Sequence, residues 1–159
     1  MKTKKQIYVL LHDIRSVHNV GSIFRTCDAL GVDMIYISGY TPAPRDRFGR
    51  ARADVAKVSL GAEKNVAWEQ IKNPKKLLGN LKKSGTKIVA LEQAENSVDY
   101  KKVKITGDTI FIVGNEVSGV EKNILSLCDT VAEIPMAGKK ESLNVSVAFG
   151  VAMFRILNQ

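Results

Sequence analysis

The chain has 159 residues, the length of one domain, and its 45% hydrophobic and 25% charged residues are ordinary for a soluble globular protein. A formal net charge of +8 favours a polyanionic partner, nucleic acid before an acidic membrane surface, although a basic protein without such a partner would carry the same charge. The two cysteines, Cys27 and Cys128, form no C-x-x-C pair, which argues against a disulfide scaffold, a zinc ribbon or a thioredoxin-type motif.

The chain begins with a basic segment, but residues 7–11 behind it have only the length of a strand, so we expect no signal peptide. The longest apolar stretch, residues 147–154, is too short to span a bilayer. We therefore expect residues 1–159 to form a single domain in the reducing cytoplasm, with both cysteines as buried thiols.

The first part of the chain predicts two strands around an amphipathic helix. Residues 7–11 and 34–37 are apolar runs of strand length. From about residue 19 to 30, apolar side chains recur at three- and four-residue steps, and Gly31 then ends the predicted helix. The stretch from residue 38 to about 66 holds prolines and glycines and is expected to be a long irregular loop.

The second part predicts three more strands that alternate with helices. A helix over 75–83 begins after Pro74 and is closed by Gly85, and a strand covers 87–91. Residues 110–113 are wholly apolar, which predicts a central strand. A helix over about 120–127, a strand over 131–134 and a helix over about 143–157 follow. This order indicates an α/β fold, a mostly parallel sheet with helices on both faces.

The last predicted helix is apolar on nearly all sides. Such a helix needs burial on several sides, either at the centre of the domain or with one face against a second subunit. We take this as an indication of a homodimer. Gly150 lowers the helix propensity and is expected to permit close packing there.

A first polar cluster, N-x-G-x-x-x-R at residues 19–25, lies between the first strand and its helix, where α/β proteins bind ligands. Gly21 is expected to let the backbone approach a ligand, with Asn19 and Arg25 facing the carboxyl edge of the sheet. The alternative is that Asn19 caps the helix and Arg25 is a solvated helical residue.

A second cluster, G-N-E-x-x-G at residues 114–119, follows the central strand. Gly114 and Gly119 have Walker A spacing, but Val120 and Glu121 stand where the lysine and hydroxyl residue of a phosphate loop would be required. A nucleotide-hydrolysing enzyme and a G-x-G-x-x-G dinucleotide site are therefore unsupported. The alternative is a tight turn with Glu116 near a helix N-terminus.

A third cluster, I-P-M-x-G followed by S-L-N-V-S at residues 134–146, joins the last strand to the last helix. Small polar residues at a helix start either cap it or hold a ligand there. Ser142 or Asn144 as a simple cap is the alternative to a ligand site.

Together and in this order, the three clusters closely resemble the motifs of the SpoU/TrmH-type RNA 2'-O-ribose methyltransferases of the SPOUT superfamily, over nearly the whole chain. The resemblance implies a C-terminal deep trefoil knot that forms a pocket for S-adenosylmethionine, in a site completed across a homodimer. The catalytic residues it implies are Arg25, Asn19, Glu116, Ser142 and Asn144. The cofactor contacts it implies are Gly114, Asn115, Glu116, Gly119, Ile134, Met136, Ser142, Leu143 and Asn144, with Ile134 and Leu143 enclosing the adenine.

The reaction implied is methyl transfer to a ribose 2'-hydroxyl, for which no metal is needed, and the sequence shows no metal-ligand cluster. The family assigns proton removal to the arginine, but a free guanidinium stays protonated. Arg25 is therefore expected to bind the adjacent phosphate and stabilise the developing alkoxide. His12 and His18 are the usual candidates for a base near neutral pH; His18 is otherwise a structural or RNA-contacting residue.

Two basic patches are candidate RNA contacts, and a solvated surface is their alternative role. They are Arg45, Arg47, Arg50, Arg52 and Lys57 in the long loop, and Lys139 and Lys140 beside the third cluster. The substrate is tRNA or rRNA, and we favour tRNA because a minimal domain must recognise a compact target with its own surface. A catalytically inactive RNA- or cofactor-binding scaffold is the alternative, which the retained Arg25, Glu116, Ser142 and Asn144 argue against. A non-RNA substrate is disfavoured by the basic charge.

Overall fold

The computed structural model describes residues 4–158. The elements in chain order are β1 (Ile7–His12), α1 (Val17–Leu30), β2 (Met34–Ser38), α2 (Ala53–Ser59), α3 (Ala62–Asn65), β3 (Trp68–Gln70), α4 (Pro74–Lys83), β4 (Lys87–Leu91), β5 (Val98–Asp99), a 3-10 turn (Tyr100–Lys102), β6 (Thr109–Val113), α5 (Lys122–Leu125), β7 (Thr130–Glu133) and α6 (Val145–Leu157). Within this part of the chain, seven strands form one sheet in the order β3-β2-β1-β6-β4-β7-β5. Every ladder in it is parallel, so the predicted α/β class is confirmed.

The centre of the sheet is β6, as its uninterrupted apolar sequence predicts. It pairs with β1 on one side and β4 on the other, and all five of its residues are buried. A parallel strand covered on both faces has no solvated side, which is why it carries no alternating polar residues.

Helices cover both faces of the sheet. On one face, Val9 and Leu11 of β1 pack with α1, α3 and α6. On the other, Leu10 packs with Leu78 of α4 and Ile124 of α5. Successive side chains of a strand point to opposite faces, so β1 contributes to both cores.

The helix boundaries follow from their capping residues. The Ser16 hydroxyl accepts the backbone N–H of Asn19 at the start of α1, and Gly31 ends that helix with φ 65°. Asn19 therefore lies inside α1, and the alternative that it caps the helix is wrong. Asn73 caps α4, whose first residue is Pro74.

The prediction of a long irregular loop between residues 38 and 66 is wrong in its second half, which contains α2 and α3. These helices are short, so they show too few turns for a periodic pattern. Gly21 of α1 explains why α2 packs there: a Cβ on Gly21 would lie 2.6 Å from Val58 Cβ. The expected approach of Gly21 to a ligand is thus an approach to a neighbouring helix.

Three further details refine the prediction. Strands β3 and β5, with three and two residues, were not predicted. A Cβ on Gly150 would meet only Thr26 Oγ1, at 3.9 Å, so the close packing expected at Gly150 is an ordinary contact.

Cys27 is a buried thiol as expected, whereas Cys128 is only half-buried. Burial raises the pKa of the Cys128 thiol to about 11. Over residues 4–158, no helix has the length and hydrophobicity needed to cross a membrane.

Candidate active site

A cavity of about 500 Å³ opens at the carboxyl ends of β4, β6 and β7, three neighbouring strands. Ligands bind at this edge in open parallel sheets because the loops that follow the strands meet there. The loop after β6, the residues after β7 and the start of α6 supply most of its wall. All nine residues expected to contact the cofactor line it: Gly114, Asn115, Glu116, Gly119, Ile134, Met136, Ser142, Leu143 and Asn144.

The loop after β6 is closed on itself by Asn115 and Gly119, whose backbone groups exchange hydrogen bonds of 3.1 and 2.9 Å. The Asn115 side-chain oxygen accepts the N–H groups of Val117 and Ser118, each at 2.9 Å. This small ring fixes the shape of the cavity wall before any ligand is present.

Both glycines of this loop are required by its geometry. Gly119 has φ 70°, a backbone conformation that L side chains rarely adopt, and a Cβ there would also meet the Glu92 carboxylate that anchors this loop. A Cβ on Gly114 would lie 2.5 Å from the carbonyl oxygen of Gly119. Their spacing thus reflects a closed turn rather than a phosphate loop.

A chain of side-chain hydrogen bonds joins the three sequence clusters. Asn19 donates from Nδ2 to Glu116 Oε1 at 2.9 Å, and its Oδ1 accepts from Asn144 Nδ2 at 3.1 Å. These pairs are 97 and 125 residues apart in sequence. Asn19 does not line the cavity, but it orients two residues that do.

Glu116 is held as a carboxylate. It accepts the backbone N–H of Arg15 at 2.9 Å and of Ser16 at 3.0 Å, in addition to Asn19. Burial by itself would raise the pKa of Glu116, but these three donors together hold the pKa below its ordinary value. The carboxylate therefore fastens the start of α1 to the cavity wall.

Asn144 has two tasks, because its Oδ1 also caps α6. That oxygen accepts the backbone N–H and the hydroxyl of Ser146, at 2.9 and 2.6 Å. Ser142 and Leu143, just before the cap, line the cavity and are exposed. The capping alternative thus holds for Asn144 but does not remove it from the cavity.

Arg25 lies elsewhere. It is exposed on α1, does not line the cavity, and has no hydrogen-bond or ion-pair partner among residues 4–158. His18 is likewise exposed in the first turn of α1. A single chain therefore brings four of the five expected catalytic residues together and leaves Arg25 apart.

The loop between β2 and α2 is ordered by Asp46. Its carboxylate accepts the backbone N–H groups of Phe48 and Arg50 and the Nε of Arg50. The pKa of Asp46 is lowered, first by the backbone hydrogen bond from Arg50. Arg52 pairs with Asp54, and Arg45 donates to the carbonyl of Gly49.

Phe48, which the sequence did not single out, is 67% exposed at the tip of this loop. The guanidinium groups of Arg47 and Arg50 lie 4.8 and 5.0 Å from its ring centroid. Phe48 thus presents an exposed aromatic ring beside two arginines, the side-chain types that surfaces for single-stranded nucleic acid combine. Lys139 and Lys140 are exposed beside the third cluster.

Glu92 is a second residue of the site that was missed. It directly follows β4, and its Oε2 accepts the N–H of Val120 at 2.8 Å, which anchors the end of the β6 loop. The carboxyl-end rule for parallel strands would have identified it. The fold also brings together three ligand-type side chains that are not grouped in the sequence: His12, Asp13 and Glu121 place one ligand atom each within 4.8 Å of one another.

Comparison with known proteins agrees with this geometry. Residues 6–154 match the model of the SpoU rRNA Methylase family. The tRNA (guanosine(18)-2'-O)-methyltransferase of Aquifex aeolicus is 34% identical, over 99% of this chain and 72% of that protein. The 23S rRNA (guanosine-2'-O-)-methyltransferase of Vibrio vulnificus is 31% identical, over 99% of this chain but only 61% of its own length.

Among solved structures, the AdoMet-bound rRNA methyltransferase of Sinorhizobium meliloti superposes with a TM-score of 0.87 at 26% identity, over 99% of this chain and 58% of that one. The chain thus spans less than two thirds of the length of the Vibrio vulnificus and Sinorhizobium meliloti proteins. The family model covers nearly all of it, and Asn19, Glu116 and Asn144, one residue from each cluster, are joined by hydrogen bonds at the cavity. The chain belongs to the SpoU rRNA methylase family.

Proposed function

We propose that this chain is an S-adenosylmethionine-dependent RNA 2'-O-ribose methyltransferase. The observation that carries the proposal is the cavity at the carboxyl ends of β4, β6 and β7, in which the nine expected cofactor residues meet. The named relatives from Aquifex and Vibrio are both RNA 2'-O-methyltransferases, which supports the reaction. The net charge of +8 supports a polyanionic substrate.

The cavity fits the cofactor in size and chemistry. Its volume of about 500 Å³ lies within the range of small-molecule sites, about 300–1,000 Å³. Ile134, Met136 and Leu143 offer apolar surface suited to a purine, and the Gly114–Gly119 turn offers backbone groups. When bound, S-adenosylmethionine supplies the activated methyl group.

The chain's own residues then position the acceptor. Glu116 holds the start of α1 at the cavity wall. Asn144 caps α6 there, and Asn19 orients both side chains. Ser142 is exposed at the cavity and free to donate to or accept from an incoming ribose. Fixed positions matter because an in-line transfer loses rate steeply with misplacement.

Arg25 acts on the phosphate and on the alkoxide that develops at the ribose oxygen, rather than as a base. A guanidinium remains protonated in proteins, and it binds phosphate in a bidentate manner. Because Arg25 lies away from the cavity of its own chain, it serves the cavity of a partner subunit in a homodimer.

The homodimer is supported by α6. Val147, Val151 and Phe154 recur along one side of this helix and are 51%, 42% and 40% exposed. A stripe at this spacing forms one continuous apolar face, which is suited to a second copy of the same surface. Burying it there brings the partner subunit next to the third cluster.

We also propose that the chain after β7 forms a trefoil knot. Two observations support this. In the sheet, β7 lies between β4 and β5, which both precede it in sequence. The helix α6 that follows then packs against α1 and against the 3-10 turn after β5.

The RNA surface comprises the loop with Arg45, Arg47, Arg50 and Arg52 and the Lys139–Lys140 pair, with Phe48 as a stacking residue. The loop follows β2 and so lies at the same edge of the sheet as the cavity. It is tied to the cavity wall, since Asn115 Nδ2 donates to the Tyr40 hydroxyl at 2.7 Å. We favour tRNA, the substrate class of the Aquifex relative.

The Arg25→Lys substitution tests this function. We expect it to retain S-adenosylmethionine affinity by calorimetry, since Arg25 is outside the cavity, and to lose most methyl transfer to RNA, because a lysine cannot replace a bidentate guanidinium. The exposed Lys76→Ala substitution on α4, outside the proposed RNA surface, is the control. Near-normal turnover in Arg25→Lys would remove Arg25 from the chemistry, and absent cofactor binding in the unmodified protein would contradict the assignment of the cavity.

A further inference from the structure

Three ligand-type atoms converge outside the cofactor cavity. His12 ends β1, Asp13 follows it, and Glu121 precedes α5. His12 Nε2 lies 3.5 Å from Asp13 Oδ2 and 3.7 Å from Glu121 Oε1.

The histidine points into this cluster with an unpartnered nitrogen. Its side chain is only 9% exposed, and Nε2 is the one buried side-chain nitrogen or oxygen without a hydrogen-bond partner in the described chain. Such a group costs free energy unless something satisfies it. The other ring nitrogen, Nδ1, lies 2.7 Å from the Ser38 hydroxyl. In the tautomer whose Nδ1–H donates a hydrogen bond to Ser38 Oγ, Nε2 carries a lone pair that faces the two carboxylates.

The distances show that neither carboxylate forms a short hydrogen bond with Nε2. Charge-assisted N–H···O bonds have lengths of about 2.7–2.9 Å, and both contacts of Nε2 are much longer. Ligands at about 2.0–2.2 Å from a tetrahedral cation are about 3.3–3.6 Å apart. The separation of 3.5 Å falls in this range, that of 3.7 Å is slightly longer, and all three ligand atoms lie within 4.8 Å of one another, close enough for one ion to draw them together.

We propose that His12, Asp13 and Glu121 bind a divalent cation, with Zn²⁺ the best match. One imidazole and two carboxylates are ligands of Zn²⁺, and Ser38 serves as the partner that fixes the orientation of the histidine. The Glu121 side chain is 53% exposed, so the ion can enter and keeps a coordination position open to water.

The bound cation fastens two segments that build the cofactor site. Asp13 belongs to the turn between β1 and α1, and its carbonyl accepts Asn115 Nδ2 at 3.0 Å. Glu121 lies two residues after Gly119, which lines the cavity. An ion that bridges Asp13 and Glu121 stiffens the Gly114–Gly119 turn, because Asp13 holds Asn115 and Glu121 follows Gly119 closely. This role is independent of the identity of the methyl acceptor.

The test uses the 159-residue chain without an affinity tag, stripped with a chelator and titrated with Zn²⁺ by calorimetry. We expect one ion per chain, and intense visible absorption when Co²⁺ replaces Zn²⁺, because a tetrahedral site lacks a centre of symmetry. Glu121→Gln should weaken Zn²⁺ binding at least about tenfold, and Ser38→Ala about 10–100-fold, the effect of losing an outer partner. The control is Glu95→Gln, an exposed glutamate outside the cluster.

Glu121→Gln keeps the test decisive even where substitutions of the buried His12 disturb folding, because Glu121 is on the surface. Equal Zn²⁺ affinities for Glu121→Gln and Glu95→Gln, or no stoichiometric binding by the unmodified chain, would overturn the proposal. Ring ¹⁵N chemical shifts that show a protonated His12, unchanged by added Zn²⁺, would also overturn the proposal. The cluster would then be an ion pair. Unchanged thermal stability on Zn²⁺ addition would remove the stiffening role.

Discussion

Glu116 offers a sharp test of the hydrogen-bonded link between the three clusters. In Glu116→Gln, the amide oxygen can still accept from Ser16 and Asn19, but the charge is lost. The amide nitrogen then faces the backbone N–H of Arg15, which donates to Oε2 in the native protein at 2.9 Å. Two donors meeting there cannot form a hydrogen bond.

The magnitude follows from these contacts. A hydrogen bond to a charged group contributes about 1.5–3 kcal/mol and one between neutral groups about 0.5–1.5 kcal/mol. Because Glu116 is partly exposed, solvent offsets some of this difference, and we expect a loss of about 1–2 kcal/mol in the free energy of unfolding. For a chain of this size that lowers Tm by about 3–6 °C.

The pH dependence gives the loss a distinct signature. The folded-state pKa of Glu116 is lowered, so its contribution is complete above the unfolded pKa and disappears as pH falls through the folded pKa. The stability gap between the native protein and Glu116→Gln should therefore be widest at neutral pH and close in acid.

The assay is urea unfolding followed by the fluorescence of Trp68, the single tryptophan, at one fixed protein concentration. Glu95→Gln, which removes an exposed carboxylate, should show almost no gap at any pH. A gap that is absent at neutral pH, or that stays constant as the pH falls, would refute the role of the Glu116 carboxylate.

Three further predictions concern the cavity, the subunit interface and the RNA surface. Gly119→Ala should weaken S-adenosylmethionine binding by at least tenfold in calorimetry, because its Cβ would meet Glu92, whereas Gly49→Ala, at φ 77° but in open space, should not; equal affinities would contradict this. Mixing Arg25→Lys and Gly119→Ala subunits should restore about a quarter of native turnover. About half of the dimers are then mixed, and in each of these one of the two sites combines a native Arg25 with a native Gly119. No recovery after demonstrated subunit exchange would contradict a shared site. Phe48→Ala should weaken RNA binding about 5–150-fold in filter binding, which is the effect of losing one stacked base, and should leave cofactor binding unchanged. Leu60→Ala, which also removes an exposed apolar side chain, should leave RNA affinity unchanged. An unchanged RNA affinity in Phe48→Ala would remove the stacking role.

The strands and the long helices could be predicted because their apolar residues are consecutive or periodic. The wholly apolar run at 110–113 predicted a central strand, and β6 is the middle strand of the sheet. The helices α2 and α3 and the strands β3 and β5 are too short for such patterns, and their tertiary contacts stabilise them.

The candidate site was predictable in its residues but not in its connections. Motifs located Asn19, Glu116 and Asn144, yet nothing in the local sequence indicates that Asn19 bonds to partners 97 and 125 residues away. The meeting of His12 with Glu121 likewise depends on how the strands are ordered in the sheet.

The most direct measurement is nucleoside mass spectrometry after incubation of the purified protein with S-adenosylmethionine and unmodified RNA, in separate tRNA and rRNA pools. We predict a new 2'-O-methylnucleoside in the tRNA pool, formed by the native protein and much reduced in Arg25→Lys. A product in the rRNA pool alone would overturn the preference for tRNA and leave the reaction standing. No 2'-O-methylnucleoside in either pool, from protein that binds the cofactor, would contradict the proposed activity.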